Sequence, residues 1–336
     1  MHTLSFTGER QLRYPAPDVA RGFMLALIAL ANVPFWIAYF PETPQAGHAA
    51  LEAMNGADQW WYLARTLFVD RRAYPLFSIL FGFGMAIMAS RTMERERRAI
   101  EQNVPAEVVA GWHPVQRQIV EESIERHVRR TASRLIRRRG WWMLAFGLLH
   151  GIVFSGDIIG AYGLVAVIFA EVIVMRRAWA RILAGSLVAV LSMSGLWMGG
   201  AMIGREPMVL EYHGPMSLNA WYPLVSFGSW LVATPATVLT ALVVPCVMIG
   251  VGVARWGFLQ DPRGRGALLA GIAFGGLAFG ALGGAPFALM QLDWAFSNSA
   301  AWSYPLFHAS GVAGACGWLA LLALVGGGPR EKLGTV

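Results

Sequence analysis

Runs of eighteen or more predominantly apolar residues recur along this chain, and each is long enough to cross the hydrocarbon of a bilayer as a helix. That one feature decides the fold class. Backbone amides in lipid must be satisfied within their own segment, so unbroken apolar runs enter a membrane as helices. Composition agrees, with 56% of the 336 residues hydrophobic and 14% charged, whereas soluble domains carry about a quarter charged residues. We expect an all-α, polytopic transmembrane helical bundle of about eight spans. They fall near residues 18–40, 73–90, 140–155, 158–175, 182–203, 222–254, 266–290 and 304–325. The first run is too long for a signal peptide and reads as a retained helix.

Charge sets the orientation. Of the 27 Lys+Arg, 23 fall in segments that alternate on one side or at their mouths, and four (Arg65, Arg71, Arg72 and Arg205) fall on the other. Positive residues accumulate on the cytoplasmic side, so both chain ends are expected there. The expected organisation is a tail at 1–17, then a first transmembrane pair at 18–90. That pair includes an interfacial helix near 59–69, anchored by Trp60, Trp61 and Tyr62. A cytoplasmic insertion occupies 91–139, the main bundle 140–325 and a cytoplasmic end 326–336. Residues 41–58 carry no Lys or Arg and lie outside. The arginines flank spans, which argues for topology and against nucleic acid. Cys246 and Cys316 both sit within spans, as small core residues.

The insertion at 91–139 holds twelve arginines and seven glutamates. Val120, Ile124, Val128, Ala132 and Leu135 recur at helical spacing, so its second half is a basic amphipathic helix. Anionic lipid headgroups are its expected partners; a phosphate-bearing donor such as an acyl-coenzyme A is the sharper alternative.

Ionisable groups inside apolar spans usually face a bundle interior or water, which singles out His150 and Asp157 as candidate site residues facing the interior. Seven residues apart, they share a face roughly 10 Å apart in a straight helix. They meet directly only if the helix breaks at Ser155–Gly156 and folds Asp157 back. Tyr162 follows in the next span. Asp18 and Arg21 share a face at the mouth of the first span, and Asn32 lies midway along it. With Tyr162 they are the candidate substrate-binding residues. Arg72 and Tyr74, just before Pro75, are expected to cap or anchor the second span, and His308 to pack within the eighth. Pro235 and Pro245 suggest a kink in the sixth. Gly271, Gly275, Gly276, Gly280 and Gly284 form small-residue faces for close helix packing. No ligand spacing for a metal, no phosphate loop and no trusted Ser-His-Asp order occurs.

Three strings carry a resemblance. Asp18-Val-Ala-Arg21-Gly22 followed by Asn32, Tyr74-Pro-Leu-Phe77-Ser78-Ile-Leu-Phe81-Gly82-Phe-Gly84, and Gly147-Leu-Leu-His150 with Gly156-Asp157-Ile158 and Tyr162 resemble motifs of the YeiB-like family of bacterial membrane proteins. The likeness covers the first half of the chain. The family continues with an R-M-x-L-T-N-Y segment and a terminal G-P-L-E-W motif that do not occur before Val336, so the resemblance implies a shortened member or an incomplete chain. The family in turn looks distantly like membrane acyltransferases that use a cytoplasmic acyl donor to modify an acceptor across the membrane. That likeness implies His150 as general base or acyl relay, Asp157 as its orienter, and Asp18, Arg21 and the arginine-rich insertion at the donor mouth. Acyl-coenzyme A is then the implied donor and a glycan or small molecule the acceptor. A proton-coupled small-solute transporter and a non-catalytic scaffold remain as alternative classes.

Overall fold

The structure, a computed structural model, describes residues 12–13, 15–37, 54–104, 111–153, 157–203, 221–328 and 330–331. Most of the expected tail 1–17 and outer loop 41–58, and the expected break at Ser155–Gly156, lie outside the described residues. In chain order the elements are β1 (Leu12–Arg13), α1 (Pro15–Ile37), α2 (Gly56–Phe68), α3 (Ala73–Gln102), α4 (Pro114–Val153) and α5 (Ile159–Val174). They continue with α6 (Ala178–Ile203), α7 (Tyr222–Thr240), α8 (Val243–Trp256), α9 (Gly266–Gln291), α10 (Ala300–Gly326) and β2 (Arg330–Glu331). Among the described residues six stretches are long and apolar enough to cross a membrane: Pro15–Val33, Gly56–Gln102, Ala178–Met202, Tyr222–Thr240, Gly266–Gln291 and Ala300–Gly326. The chain is a helical, multi-pass integral membrane protein. Leucines and isoleucines exposed along α6, such as Ile182, Leu187 and Leu191, are what a lipid-facing helix requires.

The difference from eight expected spans has a local cause. The third and fourth become the end of α4 and the 16-residue α5, about 24 Å long. The sixth is divided at Ala241–Leu242, where Leu242 takes a left-handed φ of 55° between α7 and α8. Pro245 is not the kink; it lies in the first turn of α8, where a missing N–H costs little.

Two apolar cores share α3. One gathers Leu76, Ile79 and Phe83 with α1, α9 and α10, and includes Leu27, Leu269 and Leu319. The other gathers Met85, Ala86 and Ala89 with Ile136 of α4, Val165 and Ile173 of α5 and Val247 of α8. The α9–α10 seam runs backbone to backbone: a Cβ on Gly276 would stand 2.6 Å from the Ala313 carbonyl oxygen, and one on Gly280 would stand 2.9 Å from Gly314 Cα. Gly271 and Gly275 have no such neighbour, so only the Gly276–Gly280–Gly284 face is used.

One end of the bundle collects the arginine-rich turns. β1 pairs antiparallel with β2, Leu12 opposite Glu331, and Gly326 abuts Ala16. Arg255 donates to the Ile173 carbonyl at 3.2 Å, and Gly328 touches Arg263. At this end α3 and α4 project beyond the bundle. The 40-residue α4 passes through 139–140 without interruption, so the insertion and the third span are one helix. Its apolar residues Ala132 and Ile136 are covered by α3 and α5 rather than left for a bilayer surface.

Candidate functional site

At the opposite end, α4 stops at Val153 and α5 starts at Ile159. The chain reverses, and His150 Nδ1 comes to 2.9 Å from Asp157 Oδ1. The folded-back alternative is the one adopted. The carboxylate is fully buried while the His150 side chain is 45% exposed, so only Asp157 faces the interior. His150 lies on the outer flank of the hairpin among the exposed Phe146, Leu149 and Val153.

Four donors meet this carboxylate. Oδ1 accepts from the Ile159 amide at 3.1 Å as well as from His150. Oδ2 accepts from the Gly160 amide and from Trp230 Nε1, both at 2.9 Å. The first two amides of a helix have no intrahelical partner and sit at its positive end, so an anion belongs there. An ionised carboxylate can only accept. Its bond to His150 therefore takes the ring Nδ1–H as donor. Trp230, from α7, fills the notch beside Gly151 and Gly160, where a Cβ would overlap its ring. Tyr222 adds a hydrogen bond to the Val153 carbonyl at 3.0 Å.

The other candidates lie elsewhere. Asp18 and Arg21 are 3.4 Å apart, both half exposed, on α1, and Asn32 is half buried further along it. Tyr162 is buried on α5, its hydroxyl 2.9 Å from Ser78 Oγ and its ring against Phe77 and Phe81. Thus the structure joins His150 to Asp157 and leaves Asp18, Arg21, Asn32 and Tyr162 outside that cluster. Among the described residues no three His, Cys, Asp or Glu side chains gather to hold a metal ion.

On the projecting part of α4, Ser123, Arg126, His127, Arg130, Thr131 and Arg134 line a cleft of about 360 Å³. Carboxylates are spent on other faces: Arg97 of α3 bridges Glu121 and Glu125 at 2.7 and 3.2 Å, and Arg137 meets Glu171 at 3.3 Å. That sorting leaves this stripe cationic.

Trp230 escaped the sequence reading; nothing in its local sequence marks it, since its partner is 73 residues away. Arg72, expected to cap or anchor the second span, is drawn deeper than that expectation and is 1% exposed. It donates to the Thr66 and Asp70 carbonyls at 2.7 and 2.6 Å and to the Gly280 carbonyl, and lies over the Phe307 ring. The doublet Arg71-Arg72 on the otherwise arginine-poor side was the available signal.

These features define a multi-pass helical membrane protein with a buried-carboxylate, exposed-imidazole pair at one end of the bundle. Comparison with protein-family models, curated proteins and solved structures finds no match for the chain.

Proposed function

We propose that this is an acyltransferase-like membrane enzyme of the YeiB-like type, in the cell membrane of a bacterium. It crosses the membrane about eight times with both ends in the cytoplasm. His150 acts as general base towards an extracytoplasmic acceptor hydroxyl or amine. The observation that carries this reading is the 2.9 Å contact of Asp157 with His150 Nδ1. A buried carboxylate that accepts from one ring nitrogen orients a half-exposed ring, the arrangement by which an imidazole is set up to take a proton from an acceptor. The cationic stripe on α4 suits the phosphates of an acyl-coenzyme A donor. From Arg134 to His150 is sixteen residues, about 24 Å along the helix, so the donor needs an extended thioester arm to reach the base.

The test uses the purified full chain in neutral detergent with acetyl-coenzyme A labelled in the acetyl group. Wild type is expected to bind it saturably and to lose label to an acceptor, while His150→Ala keeps binding and loses turnover. Equal turnover in the variant overturns the reading.

A second reading, a proton-coupled small-solute transporter, is favoured by one observation. The α2–α3 segment is interrupted at 69–72, where Arg72 is buried against Gly280, well inside α9. Broken helices with charged turns near the bilayer midplane are where carriers place their sites. Solute-dependent proton uptake by vesicles containing the protein, with no acyl transfer, would establish it over the enzyme.

A further inference from the structure

The interruption between α2 and α3 lies deep in the bundle. α2 begins beside the α9–α10 turn, with Trp60 stacked edge-on to Trp294 at 5.3 Å. It ends at Phe68, whose carbonyl accepts from Trp318 of α10 at 3.0 Å. It therefore descends into the protein rather than lying along the headgroups as expected for residues 59–69. Arg71 packs its backbone against Gly311, and Arg72 reaches Gly280 and Gly314. Along α9 (Gly266–Gln291) and α10 (Ala300–Gly326) those positions are roughly 15–20 Å from either end, halfway through helices of membrane length.

Charge at this depth is unbalanced. The turn brings together Arg65, Asp70, Arg71 and Arg72. Asp70 is matched by Arg65, their side chains 3.0 Å apart. Among the described residues Arg71 and Arg72 make no ion pair, and Asp70, already bonded to Arg65, is the one carboxylate within electrostatic reach of Arg72, so three cations at the turn share a single carboxylate. Arg72 donates to carbonyl oxygens and lies over an aromatic face, and its Nε–H has no acceptor. Arg71, held at a left-handed φ of 59°, is half buried and within electrostatic reach of His308 and Tyr74. His308 is 3% exposed; its Nδ1 is 3.4 Å from the Tyr74 hydroxyl and its Nε2 has no partner. The Tyr74 hydroxyl can donate to Nδ1, and in that tautomer Nε2 carries the proton and the unfilled positions here are donors. Uncompensated charge in a membrane interior is costly, and what donors and two cations require is an acceptor with negative charge.

We propose that the α2–α3 turn, with Arg71, Arg72 and His308, is an oxyanion-binding site halfway through the bundle, taking a carboxylate or a phosphate monoanion. The guanidinium forks match the two oxygens of such a group, and His308 Nε2–H supplies a third, neutral donor. Arg65 and Asp70 keep 13% and 21% of their side chains exposed, and half-buried Arg71 adds to this. Charged groups partly exposed at such depth face water rather than lipid, so water approaches the turn from the Arg65–Asp70–Arg71 side, while Arg72 Nε and His308 Nε2 lie covered beneath it. The site is separate from the His150–Asp157 pair and rests only on the protein's spanning a membrane.

The experiment is a thermal-unfolding titration of the detergent-solubilised full chain with acetate, phosphate or chloride, at constant ionic strength over a sulfonate background. A ligand of the native state raises the midpoint as its concentration passes Kd. Acetate or phosphate is expected to raise it saturably, and whichever does so names the source. Arg71→Gln is expected to weaken the apparent affinity at least tenfold, Arg71→Lys to restore part of it, and His150→Ala to leave it unchanged. Arg71 is half buried and its side chain bonds to nothing described, so Arg71→Gln tests the site without emptying a buried position. Three results overturn the proposal: no anion-specific rise, a rise with chloride alone, or an equal rise in Arg71→Gln.

Discussion

Replacing Asp157 with Asn keeps the size of the side chain and exchanges one acceptor oxygen for a donor. The structure dictates which oxygen. If the new NH2 took the Oδ2 position, it would face the Gly160 amide and Trp230 Nε1–H, two donors that cannot become acceptors. In the Oδ1 position it faces the Ile159 amide and His150 Nδ1. Only the imidazole can turn acceptor, by moving its proton to Nε2. A buried donor left unpaired costs about 1–3 kcal/mol, so orphaning one amide is preferred over orphaning two N–H groups. We therefore expect Asp157→Asn to fold, to lose about 1–3 kcal/mol, and to carry His150 as the Nε2–H tautomer. Asp157→Ala, which orphans Ile159, Gly160 and Trp230 together, should fall well below it. Unfolding midpoints in detergent give the order. Ring-nitrogen NMR of labelled histidine, with the signal assigned through His150→Gln, gives the tautomer. The same tautomer in wild type and Asp157→Asn would refute the reasoning, as would equal midpoints for the Asn and Ala variants. If His150 is a base through Nε2, Asp157→Asn also abolishes turnover while sparing the fold.

Gly276→Ala should cost about 1–3 kcal/mol by forcing the α9–α10 seam apart, because its Cβ would meet the Ala313 carbonyl at 2.6 Å. Gly275→Ala, next to it but facing open space, should stay within about 0.5 kcal/mol; midpoints of the two variants side by side check both. Arg72→Ala should lower stability by about 3–5 kcal/mol, since it empties a buried site and leaves the Thr66, Asp70 and Gly280 carbonyls without their donor. Arg72→Lys should not rescue it, because one ammonium cannot reproduce the fork. In a Cys246→Ala, Cys316→Ala background, Glu122→Cys should resist an impermeant thiol reagent applied outside intact cells and react after permeabilisation. Labelling from outside would reverse the assigned orientation.

What the sequence by itself determined is the class and the local pieces. Hydropathy acts residue by residue, so the apolar runs announced membrane helices, and four-residue glycine spacing announced a close-packed face before any partner was known. The seven-residue interval from His150 to Asp157 allowed two geometries, and only the chain reversal after Val153 chose between them. Tertiary structure alone decided who meets whom. Trp230 reaches Asp157 across 73 residues and Arg72 reaches Gly280 across 208. It also decided which arginines are neutralised, since Arg97 and Arg137 find glutamates on other helices while Arg126, Arg130 and Arg134 stay on an open face. It carried α2 down into the bundle, though its aromatic start had suggested a headgroup anchor. The physical reason is common to all four. Lipid is as apolar as leucine, so hydrophobicity puts a helix into the membrane but does not select its neighbour. Neighbours are selected by small-residue seams and by buried polar groups that must find partners, and both depend on contacts between residues far apart in the chain.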